Sequence, residues 1–205
     1  MGVTSARARP TQAQRRARTR GALLEAAARG FSKDGYSALT LERVAAEAGY
    51  SRGALYHQFA SKEELALAVV AWVEETWWPV MAPLISDADD PVEALIAVAR
   101  NHAVFCRRDI ARVHMVLSVE FSGQDHPVGR AIEDAGRRVV AEFARLIEGG
   151  RDAGLIPPGP PPRVLAMGVL GGVEGLVINL AGQVPFDELL AERVVRGVLG
   201  LPSAL

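Results

Sequence analysis

The chain has 205 residues, a net charge of −1 and an apolar share of 49%, enough for a core in one domain or in a small module joined to a larger one. Its single cysteine, Cys106, excludes an internal disulfide and a thiolate metal cluster. The longest apolar runs, Leu65–Val73 and Val164–Val173, fall short of the roughly 20 residues that a membrane span needs. The Arg-rich N-terminus lacks an apolar signal core, so a cytoplasmic protein without membrane contact is expected.

The small net charge hides an asymmetry. Residues 1–62 hold eleven Lys and Arg against four acids, a balance of +7, and the remainder carries −8. A polyanion-facing end joined to a body with different work accounts for this polarity; a solvated basic tail accounts for it equally.

Residues 1–14 show no apolar periodicity and read as a disordered basic arm. From Thr19, the residues Leu24, Ala28 and Phe31 recur at helical spacing until Asp34-Gly35 supplies a stop. Thr40 caps a short helix with Leu41, Val44, Ala45 and Ala48 on one face and Glu42 in its first turn. Gly49 ends that helix and permits a sharp reversal. Ser51 caps a third short helix, Arg52 to Phe59. Ser61 and Glu64 have capping-box spacing and open a long fourth helix, expected to close near Pro79 or Pro83. A fifth runs from Asp90-Pro91 to about Arg107, and a sixth from Asp109 to about Phe121. The seventh starts near Pro127 and stops at Gly149-Gly150 or Gly154. Pro157–Pro162, with five prolines in six residues, is a stiff linker. An apolar helix, Arg163 to Ala181, and an amphipathic one, Phe186 to about Leu199, complete the chain. The expectation is an all-α protein of about nine helices, divided into an arm (1–14), a three-helix helix-turn-helix domain (15–62) and a helical body (63–205).

Two short helices around a glycine turn, the second opening Ser-Arg-Gly, have the spacing of a DNA-binding helix-turn-helix. Leu24, Phe31, Leu41, Val44, Leu55 and Phe59 supply its core and leave Arg52, Ala54, Tyr56 and His57 on the opposite face. Arg52 suits a phosphate or the O6 and N7 edge of guanine. Tyr56 and His57 offer donors at backbone height, and Lys62 with the amides opening helix 4 forms a second phosphate anchor. The amides after Thr40 are suited to the same task. For Tyr56 the other reading is a ring packed on helix 1. The arm arginines (Arg7, Arg9, Arg15, Arg16, Arg18, Arg20) either follow the DNA or stay solvated.

The segment TRGALLEAAARGFSKDGYSALTLERVAAEAGYSRGALYHQFASKEEL resembles the N-terminal domain of TetR-family (tetracycline-repressor-like) transcriptional regulators. The signposts are the Ala-Ala…Phe of helix 1, the Gly-Tyr before helix 2, and the string Ala-Gly-x-Ser-x-Gly-x-Leu-Tyr-x-x-Phe-x-Ser-Lys-Glu. Tyr50 stands where the family more often has a small aliphatic, and Gln58 where histidine or tyrosine is common. The resemblance implies DNA binding through Thr40, Ser51, Arg52, Gly53, Tyr56, His57 and Lys62, with Tyr56 at the DNA backbone. It also implies a C-terminal ligand-binding and dimerisation domain, in which an effector moves helix 4 and separates two reading heads.

Within the body, Trp77 and Trp78 end helix 4, where a pocket next to the head has to lie. Adjacent residues on a helix point about 100 degrees apart, so at most one is expected to enter it. His102, on the face of Leu95, Val98, Ala99 and Cys106, is either a satisfied core histidine or a pocket residue. Phe105, Met115 and Val119 are wall candidates. Glu174 sits in an otherwise apolar helix, where an unpartnered carboxylate is costly, so it must face a ligand, an arginine or water. Gly168, Gly171, Gly172 and Gly175 weaken the same helix, and close helix contact is the natural compensation. Gly168, Gly172, Gly175 and Asn179 share one face suited to a partner copy, and the resemblance puts the dimer interface on the last two helices; Leu190 and Val194 of helix 9 either join that interface or pack in the monomer's own core.

Four dispersed histidines (His57, His102, His114, His126) lack metal-ligand spacing, and Ser122 has no base and acid beside it. No metal, cofactor or enzymatic activity is therefore expected. The sequence points to a ligand-responsive transcriptional regulator, a homodimeric repressor released from a pseudo-palindromic double-stranded operator by a small hydrophobic effector. A ligand-independent DNA-binding or chromosome-organising protein of the same fold is the alternative.

Overall fold

The computed structural model describes residues 11–108 and 110–202, and among them all regular structure is helical. In chain order the helices are α1 (Gln12–Ala38), α2 (Leu41–Glu47), α3 (Arg52–Tyr56), α4 (Lys62–Ser86), α5 (Pro91–Phe105), α6 (Val113–Glu120), α7 (Pro127–Asp152), α8 (Pro162–Leu180) and α9 (Phe186–Leu199). The first three form the head, and α4 leads from it into a body arranged around α5.

Helix α1 starts earlier than its apolar periodicity suggests. Thr11 accepts a hydrogen bond from the Gln14 amide, and the Gln14 side chain accepts one from the Thr11 amide, a complete capping box. The opening turns bury no face, so they carry no apolar pattern. The expected arm is thus helical over residues 12–14, while residues 1–10 lie outside the described part. Gly35 interrupts the helix with φ of 77°, where the sequence marks a stop.

Helix α4 runs through both prolines expected to end it. Pro79 and Pro83 are exposed, as are Glu75 and Pro79, whose carbonyls they leave without a helical donor, so water can reach the gaps. The other face of α4 buries Leu65, Val69, Val73, Met81 and Ile85. Helix α6 starts at Val113, later than the sequence suggests, because the chain makes turns after α5.

Helix α5 is the central strut. Leu95, Ile96, Val98 and Ala99 are buried in the core. Arg107, just past its end, makes a two-pronged hydrogen bond to Asp187 (Nε–Oδ2 and Nη2–Oδ1, both 2.9 Å) and also pairs with Glu188. Arg100 pairs with Glu192, which also accepts from Arg196 at 2.7 Å. These contacts fasten α9 against α5. Helix α8 is long and apolar enough to cross a membrane by length and composition alone; here Leu165, Ala166, Val169, Val173 and Val177 are buried in the body.

The head is tied to the body at the end of α6. The Glu120 carboxylate accepts hydrogen bonds from the amides of Tyr36 (2.5 Å) and Ser37 (2.8 Å) and from the Ser37 hydroxyl (2.5 Å). Burial alone raises the pKa of this carboxyl, but the bonds from Ser37 and Tyr36 and the charge of Lys62 outweigh it and hold the group below the usual carboxylate range. Gly35 allows the close approach: a Cβ there would stand 2.7 Å from Glu120 Oε2.

Gly35→Ala is expected to destabilise the protein by about 1–3 kcal/mol in denaturant unfolding, because alanine must hold a left-handed backbone and displace the Glu120 carboxylate. For Glu120 the folded pKa lies below the unfolded one, so its stabilisation is present above the ordinary glutamate value of about 4.3 and is lost as pH falls through the folded value. The stability gap between wild type and Glu120→Gln is expected to be full at neutral pH and to close below a pH of about 4, measured as unfolding midpoints across a pH series.

Candidate nucleic-acid interface and effector cavity

The head presents α3 outward. Leu55 and Phe59 anchor it in the core with Phe31, Leu39 and Val44, and the opposite face carries Arg52, Tyr56 and His57, all exposed. Thr40 caps α2 through a bond from the Arg43 amide, and Ser51 caps α3 through one from the Ala54 amide. Between the two helices, Gly49 turns the chain with φ of 75°. Gly53 has open space around it, with nothing nearer its would-be Cβ than Ser51 Oγ at 3.9 Å. Tyr50 packs, half-buried, against the head's core, and Gln58 is half-buried beside α3.

Arg52 rests against its own protein. Its Nε lies 3.0 Å from Glu42 Oε1, and its guanidinium sits 5.2 Å from the centre of the Tyr56 ring. Both partners are exposed, and surface pairs of this kind exchange readily for a phosphate or a base edge. Tyr56 stands 41% exposed beside it, rather than packed on α1. Arg15, Arg16, Arg18 and Arg20 line the exposed opening turns of α1, with Arg20 over the Phe59 ring at 4.6 Å. Arg7 and Arg9 lie outside the described residues.

Lys62 is placed differently from the expected phosphate anchor. Its Nζ donates to the Ser37 carbonyl at 3.2 Å and lies 4.6 Å from the Tyr36 ring centre, and burial lowers its pKa. It therefore reinforces the junction made by Glu120. Glu120 itself was absent from the sequence-derived candidates, since its partners are backbone amides more than eighty residues away.

The body encloses a cavity of about 260 Å³ walled by α4, α5, α6, α7 and α8. Trp77, Trp78, His102, Phe105, Met115 and Glu174 line it, as do Cys106, Arg112, His114 and Phe143, which the sequence did not single out for it. Both tryptophans reach the cavity, where the sequence allows one. Their rings meet edge to face, 4.9 Å apart at 84°, so two side chains diverging from one helix border the same space. Val119 corrects in the other direction: it is 75% exposed and outside the lining, since α6 turns His114, Met115 and Ser118 inward.

His102 is a lining residue whose hydrogen bonds are spent. Trp77 Nε1 donates to its Nδ1 at 3.0 Å, and its Nε2 lies 3.3 Å from Cys106 Sγ. Burial pushes its pKa down to about 4, so the ring is neutral. Burial, with Glu174's charge, pushes the Cys106 thiol up to about 12. Among the described residues, no group of three His, Cys, Asp or Glu side chains is placed to hold a metal ion.

The glycine face of α8 divides. A Cβ on Gly168 would stand 3.1 Å from Val198 Cγ1, and one on Gly172 would stand 2.6 Å from Val194 Cγ1, so these two glycines and Val194 serve packing within the chain. Gly171 and Gly175 have open space, and Asn179 is exposed. The outward stripe of α8 is Val164, Met167, Gly171, Gly175 and Ile178, and Phe186 and Leu189 continue it on α9, with Leu190 half-buried. The stripe is rotated from the predicted face because α9 of the same chain occupies the Gly168–Gly172 side.

Residues 23–69 match the family model described as bacterial regulatory proteins, tetR family. The A-factor receptor protein of Streptomyces griseus is 29% identical over 157 residues, which cover 75% of this chain and 52% of that protein. The chain thus matches about half the length of that relative. The crystal structure of AibR in complex with isovaleryl coenzyme A and operator DNA aligns over 90% of this chain and 100% of its own, with a TM-score of 0.76 at 23% identity. The SmeT–triclosan complex aligns over 87% of this chain and 90% of its own, with a TM-score of 0.66 at 26% identity. The helix-turn-helix head thus matches the tetR family of bacterial regulatory proteins over residues 23–69, and the all-helical chain shares its fold with these solved structures.

Proposed function

We infer that the protein is a ligand-responsive repressor that binds a pseudo-palindromic operator as a homodimer and releases it when a small effector enters the body. The cavity's position carries this reading. Two of its walls are the elements that hold the head: α4, which opens at Lys62, and α6, which ends at Glu120 on the Tyr36–Ser37 turn. An effector that fits one arrangement of these helices better than another shifts the orientation of α3 by its differential affinity. A ligand-independent architectural protein is expected to have a filled body core; the cavity favours the regulator. The SmeT–triclosan and AibR–isovaleryl coenzyme A complexes show small molecules bound by proteins of this architecture.

In this reading residues 15–62, with the opening turns of α1, form the DNA-binding domain, and residues 63–205 the effector-binding and dimerisation domain. Thr40, Ser51, Arg52, Gly53, Tyr56 and His57 meet the DNA, while Lys62 acts mainly at the junction. The outward stripe of α8 and α9 pairs two copies, placing two α3 helices on one duplex face. Binding, not catalysis, is the proposed work, carried out in the bacterial cytoplasm where the chromosome lies.

Gel-shift and footprinting titrations with DNA from upstream of the gene test the proposal. Tyr56→Ala is expected to weaken binding to operator and scrambled DNA alike and, because the phenol is uncharged and displaces no counterion, to leave the slope of log K against log salt nearly unchanged. Arg52→Ala is expected also to relax base preference, costing about 1–3 kcal/mol on the operator. Equal losses on both DNAs remove Arg52 from base reading.

A further inference from the structure

Among the ionisable groups around the cavity, Arg112 at its exposed edge and Glu174 within it have no ion partner among the described residues, and the others are balanced or neutral. Glu74 receives Arg138 Nη2 at 2.5 and 2.7 Å, and Glu133 lies 3.7 Å from Arg137. His114 Nε2 is 3.2 Å from the Val70 carbonyl and therefore donates to it, and His102 is occupied by Trp77 and Cys106. Burial lowers the pKa of both histidines, so neither supplies a cation at neutral pH. Arg112 reaches the cavity edge from an exposed position and also borders the basic cleft beside α1.

Glu174 has no hydrogen bond or ion pair among the described residues. Its neighbours on α8 toward the cavity are Leu170, Val173 and Val177, and Trp77, Trp78, Phe105 and Phe143 share the enclosure. Burial raises its pKa, and no nearby cation offsets the rise. A carboxylate in such surroundings costs stability unless something pairs with it.

The geometry points to an effector that carries a single positive charge, a protonated amine on a small apolar or aromatic body, with its ammonium at Glu174 and its body against the tryptophans. This rests on the reading of the cavity as the effector site and adds the chemical class. A neutral ligand leaves the carboxylate unsatisfied, and an anion meets it across a medium that screens poorly. The aromatic walls favour a cation further through their ring faces. The cavity is near the lower end of the size range for ligand sites, which suits a single-ring body over a long chain.

Phenethylamine, phenethyl alcohol and phenylacetate form a matched probe set of similar size and different charge. Each is titrated into the full-length protein without DNA, following the emission of Trp72, Trp77 and Trp78 and confirming by calorimetry. The expected order is amine first, with the alcohol and the acid weaker by on the order of tenfold or more. Glu174→Gln, nearly equal in size, is expected to erase the amine's advantage and leave the alcohol unchanged, while its thermal midpoint shows that it folds. Glu133→Gln, at the exposed rim, is expected to change amine affinity by no more than about twofold. If the three probes bind alike, if none binds, or if the amine's advantage survives Glu174→Gln, the assignment is wrong. Footprinting of the ligand-free protein reports separately on the regulator reading: protection of upstream DNA without amine preference removes only the chemical class. Amine preference without protection removes the repressor and keeps the cavity chemistry.

Discussion

The protein depends on a carboxylate placed over two backbone amides. Glu120 closes α6 and receives the Tyr36 and Ser37 N–H groups just past the glycine break in α1, where the chain has no other helical partner for them. Charge-assisted bonds of this kind are directional, so α6 cannot rotate or slide far without loosening the turn that leads into α2. Lys62 joins the arrangement from the first turn of α4 through the Ser37 carbonyl. One small turn is thereby held by both helices that border the cavity and reach the head.

The body opposes this junction with a rigid frame. Arg107 and Asp187 join the end of α5 to the start of α9, and Arg100, Glu192 and Arg196 repeat the connection further along. In the proposed response, the clamp between α5 and α9 leaves the change to the other cavity walls, α4 and α6 among them. Differential motion between a fixed half and a looser half is what a ligand needs in order to be felt at a distance.

Much of the fold was readable because it rests on local rules. The caps at Thr40, Ser51 and Asp90, and the stops at Gly35 and Gly49, are short-range chemistry, and each appears where the residues indicate. The start of α1 is not marked by periodicity, because its capping box precedes any apolar pattern. Helix α4 crossed two prolines because their exposed side tolerates missing bonds. Among the candidate site residues, Glu174 was legible as a carboxylate in an apolar helix and the tryptophans by their place near the end of α4, whereas Val119 depended on the register of a short helix whose start is set by tertiary turns. Gly168 and Gly172 announced close packing but not against which helix. Glu120 left no signal, since two of its three donors are main-chain amides, identical at every position, and all lie more than eighty residues away.

The pairing proposed through the outward stripe of α8 and α9 has a genetic consequence. Assembly through that stripe does not involve α3, so a copy with a ruined head still finds partners. If the two kinds are made in equal amounts, half of the intact copies are yoked to a ruined one, and such hybrids present one head to a site built for two. Damage to the head is then inherited as a dominant trait, while damage to the stripe, which prevents yoking, is recessive.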